Sequence, residues 1–240
     1  MRPLVIVPTY NERENIAVVL ERLLAHEGVR VLVVDDGSPD GTADVAEGIA
    51  AAHRSRVQVL RRAGARGLGR SYIDGMLFAL RTDATHVCQM DADLSHNPAD
   101  IPGLIAATAD ADVAIGSRYV PGGAIENWPL RRRLLSAFAN RYLRAILGMP
   151  IHDCTSGFRC WRREAIERLP IGDIRSEGYS FIVELAWHAW RAGLHCVEVP
   201  ITFVERREGE SKVSTAVLME SAITPWRLIA NPETSAKAAP

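Results

Sequence analysis

The chain has 240 residues, 28 Lys+Arg against 29 Asp+Glu for a formal net charge of -1, and 48% apolar residues. That length supports a sizeable core, and the balanced charge excludes a globally basic nucleic-acid binder, so no nucleic-acid partner is expected. Cys88, Cys154, Cys160 and Cys196 form no C-x-x-C pair, which points to reduced, mostly buried thiols of a cytoplasmic protein and not to a zinc ribbon or redox motif.

Short β-rich runs alternate with helical patterns from the start. Strands are expected at Leu4–Val7, Val31–Asp35, Val57–Leu60, His86–Met90 and Val113–Ile115, with helices at Asn15–Ala25, Thr42–Ala52, Gly69–Leu80 and Ala99–Ala107 between them. Asn11 with Glu14 has capping-box spacing, and Asn97-Pro98 sets a cap before a first-turn proline. Near-continuous apolar strands alternating with helices predict an α/β fold with a mostly parallel central sheet and helices on both faces. From residue 120 the pattern changes. A loop-like "VPGGAIENWPL" leads into a long amphipathic helix, "RRRLLSAFANRYLRAIL", and then into "TSGFRCWRREAI". A helix near 181–192, strands near 196–199 and 202–204, the basic "RREGESK" and a last helix near 213–229 follow. The simplest division is one domain over 1–230, split into halves 1–118 and 119–230, with a flexible tail at 231–240.

The opening run "RPLVIVPTY" is too short for a signal peptide, and no uncharged apolar run reaches the roughly 18 residues of a membrane span. Any membrane contact is therefore expected to be peripheral.

Ligands of such sheets bind beyond the carboxyl ends of the strands. Those ends carry Pro8-Thr9-Tyr10-Asn11-Glu12, Asp35-Asp36-Gly37-Ser38, Asp91-Ala92-Asp93 and Gly116-Ser117-Arg118. Residues two apart in an extended chain point to the same side, so Asp91 and Asp93 aim together and repel unless a cation lies between them. No G-x-G-x-x-G follows the first strand, and neither G-x-S-x-G nor a Walker A loop is present. What remains is an acidic edge with a set of cations: Arg118, Arg131–Arg133, Arg159, Arg206 and Lys212. Taken singly, each arginine reads as a solvated surface residue. As a set, they suit a phosphate, while the paired carboxylates suit a diphosphate bound through a divalent cation.

The ordered motifs "PTYNERENI", "VLVVDDGSPDGT", "RGLGRSYIDGM", "MDADLSHNP", "GSRYVPGG", "DCTSGFR" and "RREGESK" resemble those of dolichol-phosphate (polyprenol-phosphate) mannose synthases, inverting glycosyltransferases of family GT2. The resemblance spans roughly residues 3 to 213. It implies a Rossmann-like GT-A fold, with 1–118 as the nucleotide-sugar half and 119–230 as the acceptor half. The implied reaction moves mannose from GDP-mannose to a polyprenyl or dolichyl phosphate; a UDP-glucose or UDP-N-acetylhexosamine donor on the same fold is the alternative.

By the same resemblance Pro8, Tyr10 and Glu12 would contact the guanosine, and Val34 and Asp36 the base. Asp91, Ala92 and Asp93 would line the diphosphate, with Asp91 and Asp93 binding Mg²⁺ or Mn²⁺. Many relatives carry glutamine where this chain has Ser95, so water or the Ser95 hydroxyl would complete the metal shell. Arg206 and Lys212 would close over the phosphates. Arg118, Arg132 and Ser136 would hold the acceptor phosphate, with Asp93 and Arg118 acting in catalysis.

Arg132 and Ser136 are four residues apart, one helical turn on one face. Three arginines at a helix start oppose the helix dipole, a small cost that makes sense if they meet an anion. Near anionic headgroups each contributes roughly 1 kcal/mol, so this helix is also expected to contact the inner face of a membrane, directly or through a separate membrane protein.

Overall fold

The computed structural model of the chain describes residues 1–174, 176, 178–205 and 215–230, with backbone alone at 179, 215–219 and 221. In order the elements are β1 (Pro3–Thr9), α1 (Arg13–Leu24), β2 (Arg30–Asp35), α2 (Thr42–Ala52), β3 (Val57–Arg61), α3 (Leu68–Ala79) and β4 (His86–Gln89). A single 3-10 turn at Pro98–Asp100 leads into α4 (Ile101–Ala107), then β5 (Val113–Ser117), β6 (Ala124–Glu126) and α5 (Leu130–Leu147). The chain continues through β7 (Arg159–Arg162), α6 (Arg163–Glu167), a 3-10 turn at Ile171–Asp173, α7 (Gly178–Arg191), β8 (Cys196–Pro200), β9 (Thr202–Val204) and α8 (Thr215–Ala230).

The central sheet runs β3-β2-β1-β4-β7-β5-β8. All its pairings are parallel except those of β7, which lies antiparallel between β4 and β5. A separate ribbon pairs β6 with β9. Every residue of β1 is buried, because helices cover both faces and the alternating side chains find apolar surroundings either way. Leu4 and Ile6 enter a core with Leu32, Val34, Tyr72, Met76 and Phe181 on one face. Val5 and Val7 enter a second core with Ile16, Val31, Val33, Met90 and Phe158 on the other. Helix α3 lies so close to β1 that a Cβ on Gly75 would come within 2.6 Å of Ile6; only glycine fits there.

The predicted strands and helices form close to their expected bounds, and Asn97 accepts from the Ala99 N–H as its cap position requires. The Asn11–Glu14 capping box does not form. Asn11 turns left-handed at φ 60°, its N–H donates to Ser38 Oγ, and Glu12 becomes the residue before the helix. The competing loop contact wins because it ties the β1 end to the β2 end.

Candidate active site

Strand order β2-β1-β4 sets the acidic ends of β2 and β4 on either side of the β1 end. After β2, Asp35 is buried and folds the turn. It accepts from Thr9 Oγ1 at 3.0 Å, from the Ser38 N–H at 3.0 Å and from Ser38 Oγ at 2.5 Å, while Gly37 supplies a left-handed φ of 74°. Asp36 pairs with Arg62 and accepts from the Gly67 N–H at 2.7 Å; Arg62 also reaches Asp74 at 2.6 Å. The Arg66 guanidinium lies 4.9 Å over the Tyr10 ring and donates to its hydroxyl. Glu12 donates its N–H to Thr42 Oγ1 at 2.9 Å and accepts from Asn15 Nδ2 at 2.8 Å. Pro8 and Val34 are buried in their strands. Val34 belongs to the core, with no exposed surface, and its side chain packs the sheet.

At the β4 end Asp91 and Asp93 share one cavity wall with Ser95 and His96, while Ala92 between them turns into the core. The Asp91 N–H donates to His96 Nδ1 at 3.3 Å, and the His96 ring stacks on Phe158 at 4.8 Å. Asp93 accepts from the Ser95 N–H at 3.0 Å. The Tyr72 hydroxyl donates to Asp91 Oδ1 at 2.9 Å. Burial first, and then the nearby Asp91 charge, push the Tyr72 phenol well above its ordinary pKa. Among the described residues no group of three His, Cys, Asp or Glu side chains could enclose a metal. Two hard carboxylates at a cavity wall instead fit a cation that takes its other ligands from substrate phosphates and water.

The cavity, about 780 Å³, runs from these carboxylates past Arg118, Arg132 and Ser136 to apolar walls formed by Leu135, Phe138, Leu143, Ile182 and Val183. The predicted acceptor residues are therefore brought together with Asp91 and Asp93. Arg118 is clamped by the fully buried Asp153: Nε and Nη2 each donate to it at 2.7 Å, and the Arg118 N–H adds a third bond at 3.0 Å. Thr155 Oγ1 accepts from Nη2 at 2.8 Å. Burial alone would raise the Asp153 carboxyl, but the Arg118 charge and hydrogen bonds outweigh it and hold the pKa below the ordinary value. Arg132 pairs with Glu205 at 2.6 Å and lies 4.0 Å over the Trp128 ring, which Arg118 also approaches at 5.7 Å. Ser136 Oγ accepts from the Tyr119 hydroxyl at 2.7 Å.

Arg159 departs from the expected cation set. It is fully buried on β7 and donates to the carbonyls of Ile182 at 2.9 Å and Cys154 at 3.1 Å. Burial pulls its pKa down to about 10. It braces the sheet, since side chains alternate along a strand and this one turns inward. Arg206 and Lys212 lie outside the described residues. Sequence reasoning missed Asp153, Trp128 and Tyr72, although each stands inside or beside a motif singled out above; an acid one residue before "CTSGFR" was the available signal for the first.

Outward from Phe138 (67%) at the cavity wall, α5 exposes Leu134 (61%) and Leu130 (68%), four residues apart on one stripe, and α8 exposes Ile223 and Trp226 (58%). The two stripes join where Phe138 stacks on Tyr142 at 6.4 Å and Trp226 Nε1 donates to the Tyr142 hydroxyl at 2.8 Å. Among the described residues no helix is long and apolar enough to cross a membrane.

Residues 4–169 match the model of glycosyl transferase family 2, and the chain belongs to that family. Its mostly parallel sheet, wrapped by helices, is the GT-A fold. The chain is 48% identical over 222 residues to a polyprenol monophosphomannose synthase of Mycolicibacterium smegmatis, covering 92% of this chain and 84% of that protein. It is 44% identical over 233 residues to an undecaprenyl-phosphate mannosyltransferase of Micrococcus luteus, covering 96% of each. Among solved structures, glucosyl-3-phosphoglycerate synthase from Mycobacterium tuberculosis with Mn²⁺, UDP and glucosyl-3-phosphoglycerate superposes with a TM-score of 0.61 at 21% identity, covering 99% of this chain and 81% of that one.

Proposed function

We propose that this protein is an inverting mannosyltransferase that moves mannose from GDP-mannose to a polyprenyl (dolichyl) phosphate, giving polyprenyl-phosphate β-mannose and GDP. The observation that carries the reading is the single cavity with two carboxylates at one end, arginines in its middle and apolar walls at the other. A lipid phosphate is the acceptor that needs all three. The names of the two relatives support the same sugar and the same class of acceptor.

In this reading residues 1–118 serve the nucleotide sugar and 119–230 the acceptor. Tyr10 and Glu12 meet the nucleoside, and Asp36 reaches guanine N–H groups by exchanging a contact with Arg62 or Gly67. Asp91 and Asp93 would hold Mg²⁺ or Mn²⁺, which supplies charge neutralisation to the departing GDP when bound. Arg206 and Lys212 follow as cations for the same phosphates. The acceptor phosphate ionises with a second pKa of about 6, so it attacks without a strong general base, and orientation carries the rate. Arg118, held square by Asp153, and Arg132 with Ser136 orient that phosphate toward the face of the anomeric carbon opposite the leaving group, which inverts its configuration.

The exposed stripe Leu130–Leu134–Phe138 with Trp226 is the surface that contacts the membrane, peripherally and from the cytoplasmic face. Apolar side chains there gain about 1.5–3 kcal/mol each when fully removed from water. The deciding experiment uses purified protein, a labelled donor panel and a short polyprenyl phosphate, scoring lipid-extractable label and displacement by nucleotide. GDP-mannose should label the lipid, and GDP should displace a donor analogue better than UDP does. Equal or better displacement by UDP overturns the donor.

A further inference from the structure

Tyr72 is fully buried on α3, and its ring stacks on Phe181 of α7 at 6.1 Å and 5°. For packing alone phenylalanine would suffice, yet a hydroxyl has been carried into the core, where it needs a partner. It finds Asp91 Oδ1 at 2.9 Å. The helix that presents it has little freedom. A Cβ on Gly69 would come within 2.9 Å of the Ser176 carbonyl and 3.0 Å of Phe181, and one on Gly75 would strike Ile6. The other oxygen, Asp91 Oδ2, lies 4.0 Å from His96 Nδ1, and both Asp91 and His96 line the cavity.

We propose that Tyr72 is a positioning residue for the divalent cation: its hydroxyl engages one oxygen of Asp91 from inside the core and fixes the orientation in which the carboxylate meets the metal. The proposal rests on Asp91 and Asp93 being the metal-binding pair. It follows from the general rule that a carboxylate ligand held by a hydrogen bond from behind binds its metal more tightly, since the bond freezes the rotamer before the ion arrives.

The test is Mn²⁺ titration of the full chain with GDP, followed by electron paramagnetic resonance, on wild type, Tyr72→Phe and Phe181→Leu. Removal of the hydroxyl should weaken Mn²⁺ by about 10- to 100-fold, and transfer should recover toward the wild-type kcat at saturating Mn²⁺. Phe181→Leu disturbs the ring stack and spares the hydroxyl; it should lower the unfolding temperature and leave Mn²⁺ affinity near wild type. Tyr72→p-aminophenylalanine keeps a donor at the same place and should restore the affinity that Tyr72→Phe loses. Wild-type Mn²⁺ affinity in Tyr72→Phe, or an equal loss in Phe181→Leu, overturns the proposal alone. Absence of Mn²⁺ binding by the wild type overturns the metal pair and this proposal with it.

Discussion

Strands β1 and β2 and helices α5 and α8 use similar aliphatic and aromatic side chains and treat them in opposite ways. Val5, Ile6, Val7, Val31 and Val33 have no exposed surface, whereas Leu130, Leu134, Phe138, Ile223 and Trp226 are mostly exposed. In the sheet the apolar groups are covered by the chain itself and their role ends with stability. On the helices they continue the apolar wall of the cavity out to the surface. A folded protein exposes single apolar residues freely, but a contiguous stripe joined to a cavity marks a contact with something else apolar. Residue type tells that water is avoided; only the packing tells what replaces it.

The strongest way to break this division of labour is at the carboxylates, which belong to the sheet end and not to the helical wall. Chelation by EDTA should abolish transfer, and Asp93→Ala should lower kcat by about 1,000-fold while circular dichroism shows a folded chain. Full activity in chelator would remove the metal from the reaction.

Asp153 tests whether the clamp on Arg118 is structural as well as functional. Breaking a buried ion pair from one side costs about 3–5 kcal/mol, so Asp153→Ala should unfold at a clearly lower denaturant midpoint. The Asp153 pKa is depressed on folding. Its contribution is therefore complete above the unfolded carboxylate value of about 3.9 and is lost as the pH falls from there through the folded value. Acid unfolding of wild type should show this loss and the variant should lack it. Identical acid limbs would show that the pair contributes nothing.

Arg132→Ala sharpens the contrast between the cavity's two ends. The acceptor KM should rise by about 10- to 100-fold, as for one charged hydrogen bond, with GDP affinity unchanged. If the variant works at wild-type rates across acceptor concentrations, the phosphate binds elsewhere. The smallest effect belongs to the exposed stripe. Leu130→Ser with Leu134→Ser should reduce binding to anionic vesicles by at least about tenfold and leave turnover of a detergent-dispersed short acceptor intact. Unchanged vesicle binding would detach this face from the membrane.

Much of the fold could be read from the chain because its first half obeys local rules. Thr42–Ala52 forms as predicted, and the β4 end projects Asp91 and Asp93 to one cavity as the strand period requires. β7 was illegible because "RCWR" is neither apolar nor cleanly alternating; Arg159 is tolerated inside only because distant carbonyls accept its protons. β6 is too short to signal itself and exists through its pairing with β9. The partners of the site residues were hidden for the same reason. That Arg118 meets Asp153, or Asp91 meets Tyr72, is decided by crossovers that no local pattern encodes.

The antiparallel β7 also has a consequence for how the chain is made. β4 and β5 never pair with each other; each pairs with β7, along the register Cys88↔Cys160 and Ala114↔Cys160. A nascent chain that has released residues 1–118 therefore holds most of the sheet's strands but has nothing to close the seam between them. Two open strand edges persist until Arg159–Arg162 leaves the ribosome and inserts, and open edges invite association with other chains. Residues 1–118 should consequently fail as an independently expressed fragment, precipitating where the full chain is soluble, and supplying the later residues in trans should rescue them.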